Sequence, residues 1–325
     1  MAQRRRANQP RKPVADLLAE LVTESVHPEH QDLDLLSARE IVERIHVEMS
    51  TVPAVVEGVL PEIATLAEWA ASAFRSGGRL IFVGAGTSGR LGVLEAAECP
   101  PTFGVPVGQV VGVIAGGRGT LVRSREGVED ERAPARREIR RLETGMTDIV
   151  VGLAASRRTP FVLAALSEAR RRGARTVLLH CNPPGPEEAE VDLVIRPRVG
   201  PEIIAGSTRM KSGTAQKIIL NLITTTAMVL AGRVFGNLMV DLQARSLKLR
   251  ERSLRLVQQT TGVSRPQAGQ LLKSAGGSVK VAILMGRAGV TRRRAHQLLA
   301  RHDGFLRRAL EESGVDSRPI PESNS

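Results

Sequence analysis

Two glutamates carry the acid/base chemistry this sequence can do. Glu98 sits in Ala97-Glu98-Cys99-Pro100-Pro101-Thr102, and Glu129 in Glu126-Gly127-Val128-Glu129-Asp130. Moving protons on and off a substrate takes two groups with separated pKa values, and two carboxylates in unlike surroundings supply that. By itself Glu129 is a partner for the dipole of the helix that its segment begins. Paired across a pocket mouth with Glu98, it becomes an acid/base partner. Around these residues lie loops rich in glycine and hydroxyls. Gly84-Ala85-Gly86-Thr87-Ser88-Gly89 opens a helix, and the free N–H groups and dipole of a helix N-terminus favour an anion. Thr87, Ser88 and Gly89 are its binding candidates. Ala154–Pro160 adds Ser156 and Thr159. Gly206–Thr214 adds Ser207, Thr208, Arg209 and Lys211 in front of a long helix. Hydroxyls, a guanidinium, an ammonium and helix N–H groups together are what a phosphate monoester and sugar hydroxyls need.

The elements that position these residues alternate. Short apolar runs predict strands over Leu80–Val83, Val110–Ile114, Asp148–Leu153, Thr176–His180 and Leu193–Arg196. Helical patterns fall over Arg90–Glu98, Val122–Leu142, Phe161–Arg171 and Ala215–Ala231, with the first expected to stop at Cys99-Pro100-Pro101. The expected fold class is α/β: a doubly wound parallel five-stranded sheet, its ligand loops at the C-terminal strand ends. N-terminal helices are expected over Ala15–Leu21, Ser37–Val47 and Val52–Phe74. After residue 245 the chain is helical and basic. Gly262–Leu272 is echoed by Gly289–Leu299, each a Ser or Thr cap before paired leucines, which predicts a small three-helix module. The expected organisation is a disordered basic arm over 1–14, a main domain over 15–245, a helical domain over 246–313 and a flexible tail over 314–325.

Composition narrows the function. Aromatic content is 2% with no Tyr, which speaks against a stacking platform for single-stranded nucleic acid. The net charge of +12 suits an anionic substrate. Much of it lies in the arm and in the late helices, so solvated arginine explains it better than nucleic-acid binding. Thr291-Arg292-Arg293-Arg294 allows a helix-turn-helix reader, with a capping or dimer-supporting bundle the favoured alternative. Gly84–Gly89 also has dinucleotide spacing, but the second strand ends in Ala115-Gly116-Gly117 without the acidic residue a ribose requires. Cys99 and Cys181 lack metal spacing and fit a reducing compartment; the scattered histidines and Asp241 suggest no metal cluster. His180 ends a strand and reads as a core histidine. No apolar leader and no membrane span are expected, which points to the cytoplasm.

GAGTSGRLGVLEAAECPPTFG, EGVED, GSTRMKSGTAQK and RVFGNLMVD together resemble the N-acetylmuramic acid 6-phosphate etherase family, over roughly residues 20 to 312. The resemblance implies the sugar isomerase (SIS) fold, flavodoxin-like in strand order, and a UBA-like C-terminal domain. It also implies a homodimer with its active site near the dimer interface, binding a sugar phosphate and needing no cofactor. The implied reaction removes the D-lactyl ether from N-acetylmuramic acid 6-phosphate, giving N-acetylglucosamine 6-phosphate and D-lactate. A base takes the C2 proton of the open-chain aldehyde, lactate leaves C3, and water adds. By position Glu98 matches the family's proton donor and Glu129 its second catalytic glutamate. Three places depart from the family pattern. Arg157 stands where the third loop usually has glycine, Glu131–Glu138 lacks the usual glycine, and His46-Val47-Glu48-Met49 replaces the usual Asn-x-Glu-Asp. The alternative functions are a non-catalytic sugar-phosphate sensor and a transcription regulator. Retention of both glutamates favours the enzyme. Residues 15–75 show no basic recognition helix.

Overall fold

The computed structural model describes residues 20–242 and 246–316. The expected arm (1–14), residues 15–19 of the first expected helix and residues 317–325 of the tail lie outside them. Three N-terminal helices, α1 (Ala38–Ser50), α2 (Val52–Glu57) and α3 (Leu60–Arg75), lead into the sheet. There β1 (Leu80–Gly84), β2 (Val110–Ile114), β3 (Ile149–Leu153), β4 (Arg175–Leu179) and β5 (Leu193–Ile195) pair in the order β2-β1-β3-β4-β5, all parallel. Connecting helices are α4 (Gly86–Phe103), α5 (Arg132–Arg141) and α6 (Pro160–Arg171), with α7 (Lys211–Leu230) following β5.

Strand residues alternate between two cores, as the two-residue period of a strand requires. Leu80, Phe82, Val151, Leu153, Val177 and Leu179 pack on one face with residues of α3, α4 and α7. Ile81, Val83, Val150 and Leu178 pack on the other with residues of α5 and α6. The strand order reverses at β1, so the loops after β1 and β3 part there and leave a crevice. Among the described residues no single helix is long and apolar enough to cross a membrane.

Two expected helices differ in the structure. The first continues through Pro100 and Pro101 to Phe103, and closes at Gly104 in the left-handed region with its N–H on the Pro100 carbonyl. Proline removes a donor from that turn but leaves its carbonyls usable, and the apolar burial of Cys99 and Phe103 holds it. The helix expected over Val122–Leu142 is only its second half, α5. In the first half the chain turns at Gly127, at φ 79°, into a short 3-10 turn over Val128–Asp130; another 3-10 turn, Arg118–Leu121, ends just before Val122. Beyond a hairpin of β6 (Val234–Phe235) and β7 (Leu238–Met239), the C-terminal region has its own core. The three expected helices are α9 (Arg265–Ser274), α10 (Val279–Ala288) and α11 (Arg292–Arg301). They are flanked by α8 (Leu247–Thr261) and α12 (Leu306–Glu312).

Candidate active site

A cavity of about 300 Å³ opens at the ends of β1 and β3. Thr87 and Ser88 enter it from the first turn of α4, Ser156 and Thr159 from the loop after β3, and Thr208 from the segment before α7. The first backbone hydrogen bond of α4 runs from Gly89 N–H to the Ala85 carbonyl, so the N–H groups of Gly86, Thr87 and Ser88 precede the helical ladder. The residues carrying them line the cavity. That is an anion cradle of backbone donors with hydroxyls around it. Gly89 is buried behind the cradle: a Cβ there would lie 2.6 Å from Ile114 Cγ1 and 2.7 Å from the Gly84 carbonyl oxygen. Its role is to let α4 sit against β1 and β2, and it does not line the cavity.

Glu129 reaches the cavity from the 3-10 turn after Gly127, half-buried beside Val128. The loop carrying it is pinned by Arg90 of α4, whose guanidinium donates to the Thr120 carbonyl at 2.6 Å and the Leu121 carbonyl at 3.2 Å. Sequence reasoning missed Glu24, which also lines the cavity. Its turn, Val22–Glu24, is tied down by Thr23: Asn182 Nδ2 donates to Thr23 Oγ1 at 3.0 Å, and Gly206 N–H donates to the Thr23 carbonyl. A lone Glu far upstream of the sheet carries no signal of such placement.

The segment before α7 behaves differently from the expectation. The N-terminus of α7 is already occupied. Glu202, fully buried, accepts Lys211 N–H at 2.8 Å, Ser212 N–H at 2.9 Å and the Ser212 hydroxyl at 2.8 Å. These donors are satisfied internally and offer a phosphate nothing. Lys211 turns its ammonium away to Glu48 of α1, at 2.6 Å. Arg209 is exposed, and neither it nor Ser207 lines the cavity. Of the four candidates here, only Thr208 does.

Arg157, expected to stand where the family pattern has glycine, lies in the left-handed region that favours glycine, with φ at 69°. Its side chain leaves the cavity and is buried elsewhere, donating to the carbonyls of Pro183 at 2.5 Å and Pro184 at 3.1 Å, with Nε 2.9 Å from Glu187 Oε2. Gly185 makes the room, since a Cβ there would stand 2.3 Å from the guanidinium carbon. The turn of the loop is therefore kept, and the arginine clamps a neighbouring loop instead of adding charge to the pocket. His180 is fully buried; burial outweighs its bond to Glu188 and depresses its pKa to about 4, so it is a neutral core residue.

Glu98 is not at the mouth of this cavity. It lies exposed about three turns along α4. It lines a separate groove of about 420 Å³ with Glu95, Lys217 and Asn221. Buried Glu95 accepts from Lys217 Nζ at 2.9 Å, Asn221 Nδ2 at 2.7 Å and Thr224 Oγ1 at 2.5 Å, so it is fully engaged. Burial pushes the nearby Cys99 thiol up to about 12, which leaves it unreactive. One chain thus holds the two candidate glutamates in two different depressions.

The chain is 50% identical over 294 residues to the N-acetylmuramic acid 6-phosphate etherase of Salmonella agona (strain SL483), covering 90% of this chain and 99% of that one. The etherase of Serratia proteamaculans (strain 568) is 51% identical over 293 residues, with the same coverage. The chain belongs to the N-acetylmuramic acid 6-phosphate etherase family. Residues 62–170 also match the family described as the glucokinase regulatory protein N-terminal SIS domain. That span holds β1, α4 and β2, the 3-10 turn with Glu129, and the loop after β3. Among solved structures, the phosphoheptose isomerase GmhA from Neisseria gonorrhoeae is 19% identical, with a TM-score of 0.45 over 60% of this chain and 99% of that one. A phosphoheptose isomerase from Francisella tularensis is 17% identical, with a TM-score of 0.44 over 60% of this chain and 98% of that one.

Proposed function

We propose that the chain cleaves the D-lactyl ether of N-acetylmuramic acid 6-phosphate, giving N-acetylglucosamine 6-phosphate and D-lactate. The observation that carries this reading is the open α4 N-terminus, ringed by Ser88, Thr87, Ser156, Thr159 and Thr208 and faced by Glu129. In this reading the backbone donors and hydroxyls hold the 6-phosphate. The sugar's acidified C2–H then lies toward Glu129, a half-buried carboxylate able to take or return a proton. Elimination expels lactate from C3, which needs an acid on the leaving oxygen, and water adds to the unsaturated aldehyde. No cofactor takes part in these steps.

The acid is Glu98, and it comes from a second copy. Glu98 is exposed in a groove flanked by Leu94, and α7 presents Val229 and Leu230 to solvent; these three apolar side chains are 39–44% exposed. A homodimer covering this face brings Glu98 of one copy to the Glu129 cavity of the other, so each active site takes one glutamate from each chain. The reaction belongs to recycling of cell-wall amino sugars in the cytoplasm.

The test is D-lactate release from N-acetylmuramic acid 6-phosphate in isotopically heavy water, with solvent oxygen appearing at C3. Absence of lactate, with thermal stabilisation by the sugar phosphate, would replace this reading with a sensor. Glu98→Gln and Glu129→Gln are each expected to fold and to lose most activity. Mixed after unfolding and refolding together, they should recover about a quarter of wild-type activity, because half the dimers are mixed and each holds one intact site. A mixture as inactive as its components would overturn the shared site.

A further inference from the structure

Three residues that the etherase reading does not use come together beside the candidate site. His27 and His30 follow the Val22–Glu24 turn, and Glu48 stands on α1. The sequence treats these histidines as scattered; the fold gathers them. Their rings stack, with centroids 4.2 Å apart and planes inclined by 24°. Both turn Nε2 to the same carboxylate oxygen, Glu48 Oε1, at 3.4 Å from His27 and 3.2 Å from His30. All three side chains are 85–91% buried yet reach solvent.

We propose that His27, His30 and Glu48 form a binding site for a divalent transition-metal ion of the zinc class. The donor set is two imidazoles and one carboxylate, which suits Zn²⁺ with a fourth position left to water. A tetrahedral zinc site with bonds of 2.0–2.1 Å has ligand–ligand edges of about 3.4 Å. Two of the three edges already have that length, and all three donor atoms lie within 4.8 Å of one another. Closing the third edge requires the stacked rings to splay, because a zinc ion lies near the plane of each imidazole that binds it.

The protein alone leaves this cluster unsatisfied. His30 Nδ1 is buried and has no hydrogen-bond partner among the described residues. With the proton on Nε2, Nδ1 is an orphaned acceptor. With the proton on Nδ1, a lone pair faces the Glu48 oxygen at 3.2 Å, an arrangement that a cation between them resolves. His27 Nδ1 accepts Glu29 N–H at 3.2 Å; metal binding moves a proton to Nδ1, and the exposed Glu29 amide turns to water. Glu48 Oε2 is held by Lys211 Nζ, which fixes the carboxylate and leaves Oε1 for the ion. Burial raises the Glu48 pKa, but bonds from Lys211 and His30 outweigh it and keep the group ionised. An ion here ties together the segment before α1, α1 itself and the start of α7.

The test is titration of the metal-free full-length protein with ZnSO₄ by calorimetry, with His27→Gln/His30→Gln and His46→Gln as variants. His46 is exposed on α1 and outside the cluster. Expected is one ion per chain and a raised Tm. Affinity should fall more than about 100-fold in the double variant, since it loses two direct ligands, and stay unchanged in His46→Gln. X-ray absorption at the zinc edge of the wild type should show two imidazoles and only N/O ligands, a readout independent of whether the double variant folds. No stoichiometric binding, equal binding by the double variant, or a zinc spectrum without two imidazoles would each overturn the proposal.

Discussion

Replacing Arg157 with glycine sets two effects of known sign against each other. An L-residue in the left-handed region costs about 1 kcal/mol, which glycine would recover. Against that, Arg157→Gly removes two charge-assisted hydrogen bonds, to the Pro183 and Pro184 carbonyls, and the ion pair with Glu187. It also empties the seat over Gly185. Bonds from a charged donor are each worth about 1.5–3 kcal/mol, and the exposure of Pro183 and Pro184 selects the low end, since water can reach the partners left behind. Taking the low end for both bonds gives a loss of about 3 kcal/mol and a net destabilisation of about 2 kcal/mol. For a chain of this size that lowers Tm by about 4 °C. Arg157→Lys should also destabilise, because it keeps the positive φ while one ammonium cannot serve both the two carbonyls, which Arg157 holds through Nη1, and Glu187, which it meets through Nε. The assay is thermal unfolding of the wild type, Arg157→Gly, Glu187→Gln and the double variant. In the double variant the two losses should fall short of additive by about 1 kcal/mol. An Arg157→Gly protein that melts at or above the wild-type temperature would refute the reasoning, since strain would then outweigh the clamp.

Glu202→Ala orphans three donors at the buried start of α7 and should cost about 3 kcal/mol, read as a lowered urea midpoint. Glu202→Gln, which keeps an acceptor oxygen, should recover part of it; a neutral Glu202→Ala would show that water satisfies those donors. His180 gives a pH signature. Its folded pKa of about 4 lies below the unfolded value of about 6.5. As pH falls from 6.5 to 4 the unfolded chain takes a proton that the fold refuses, and stability drops by about 3 kcal/mol. His180→Gln should lack this component. An identical slope of Tm against pH in wild type and variant would show that Glu188 keeps His180 protonated in the fold.

The parallel sheet was legible because its strands are uninterrupted apolar runs, the pattern of a strand buried on both faces. All five expected strands form, each within about a residue of its expected edge. The break between Val122 and α5 was hidden because Gly127 is flanked by residues compatible with a helix, and a single glycine does not decide the matter from sequence. The loop before α7 misled for a related reason. Its donors are real, but whether a helix N-terminus is open depends on distant residues, and Glu202 is as ordinary in the sequence as any surface glutamate. At α4 no side chain caps the helix, and that difference cannot be read locally.

The separation of Glu98 and Glu129 follows from the helix that links the loops. A helix rises 1.5 Å per residue, so Glu98 stands about 16 Å along α4 from Thr87 at the cavity. Arg90 ties the Glu129 loop to the first turns of the same helix, and Gly89 fixes that end of α4 against β1 and β2. Bending α4 enough to unite the glutamates would break its packing of Cys99 and Phe103 in the main core. Acid/base chemistry that uses both groups is then open only to an arrangement in which another chain closes the distance. The proposed pairing of Glu98 with Glu129 and the proposed dimer therefore stand or fall together. Recovery of activity on mixing the two inactive glutamate variants decides both, and a monomeric chain that releases lactate at full rate would remove Glu98 from the proton-transfer pair.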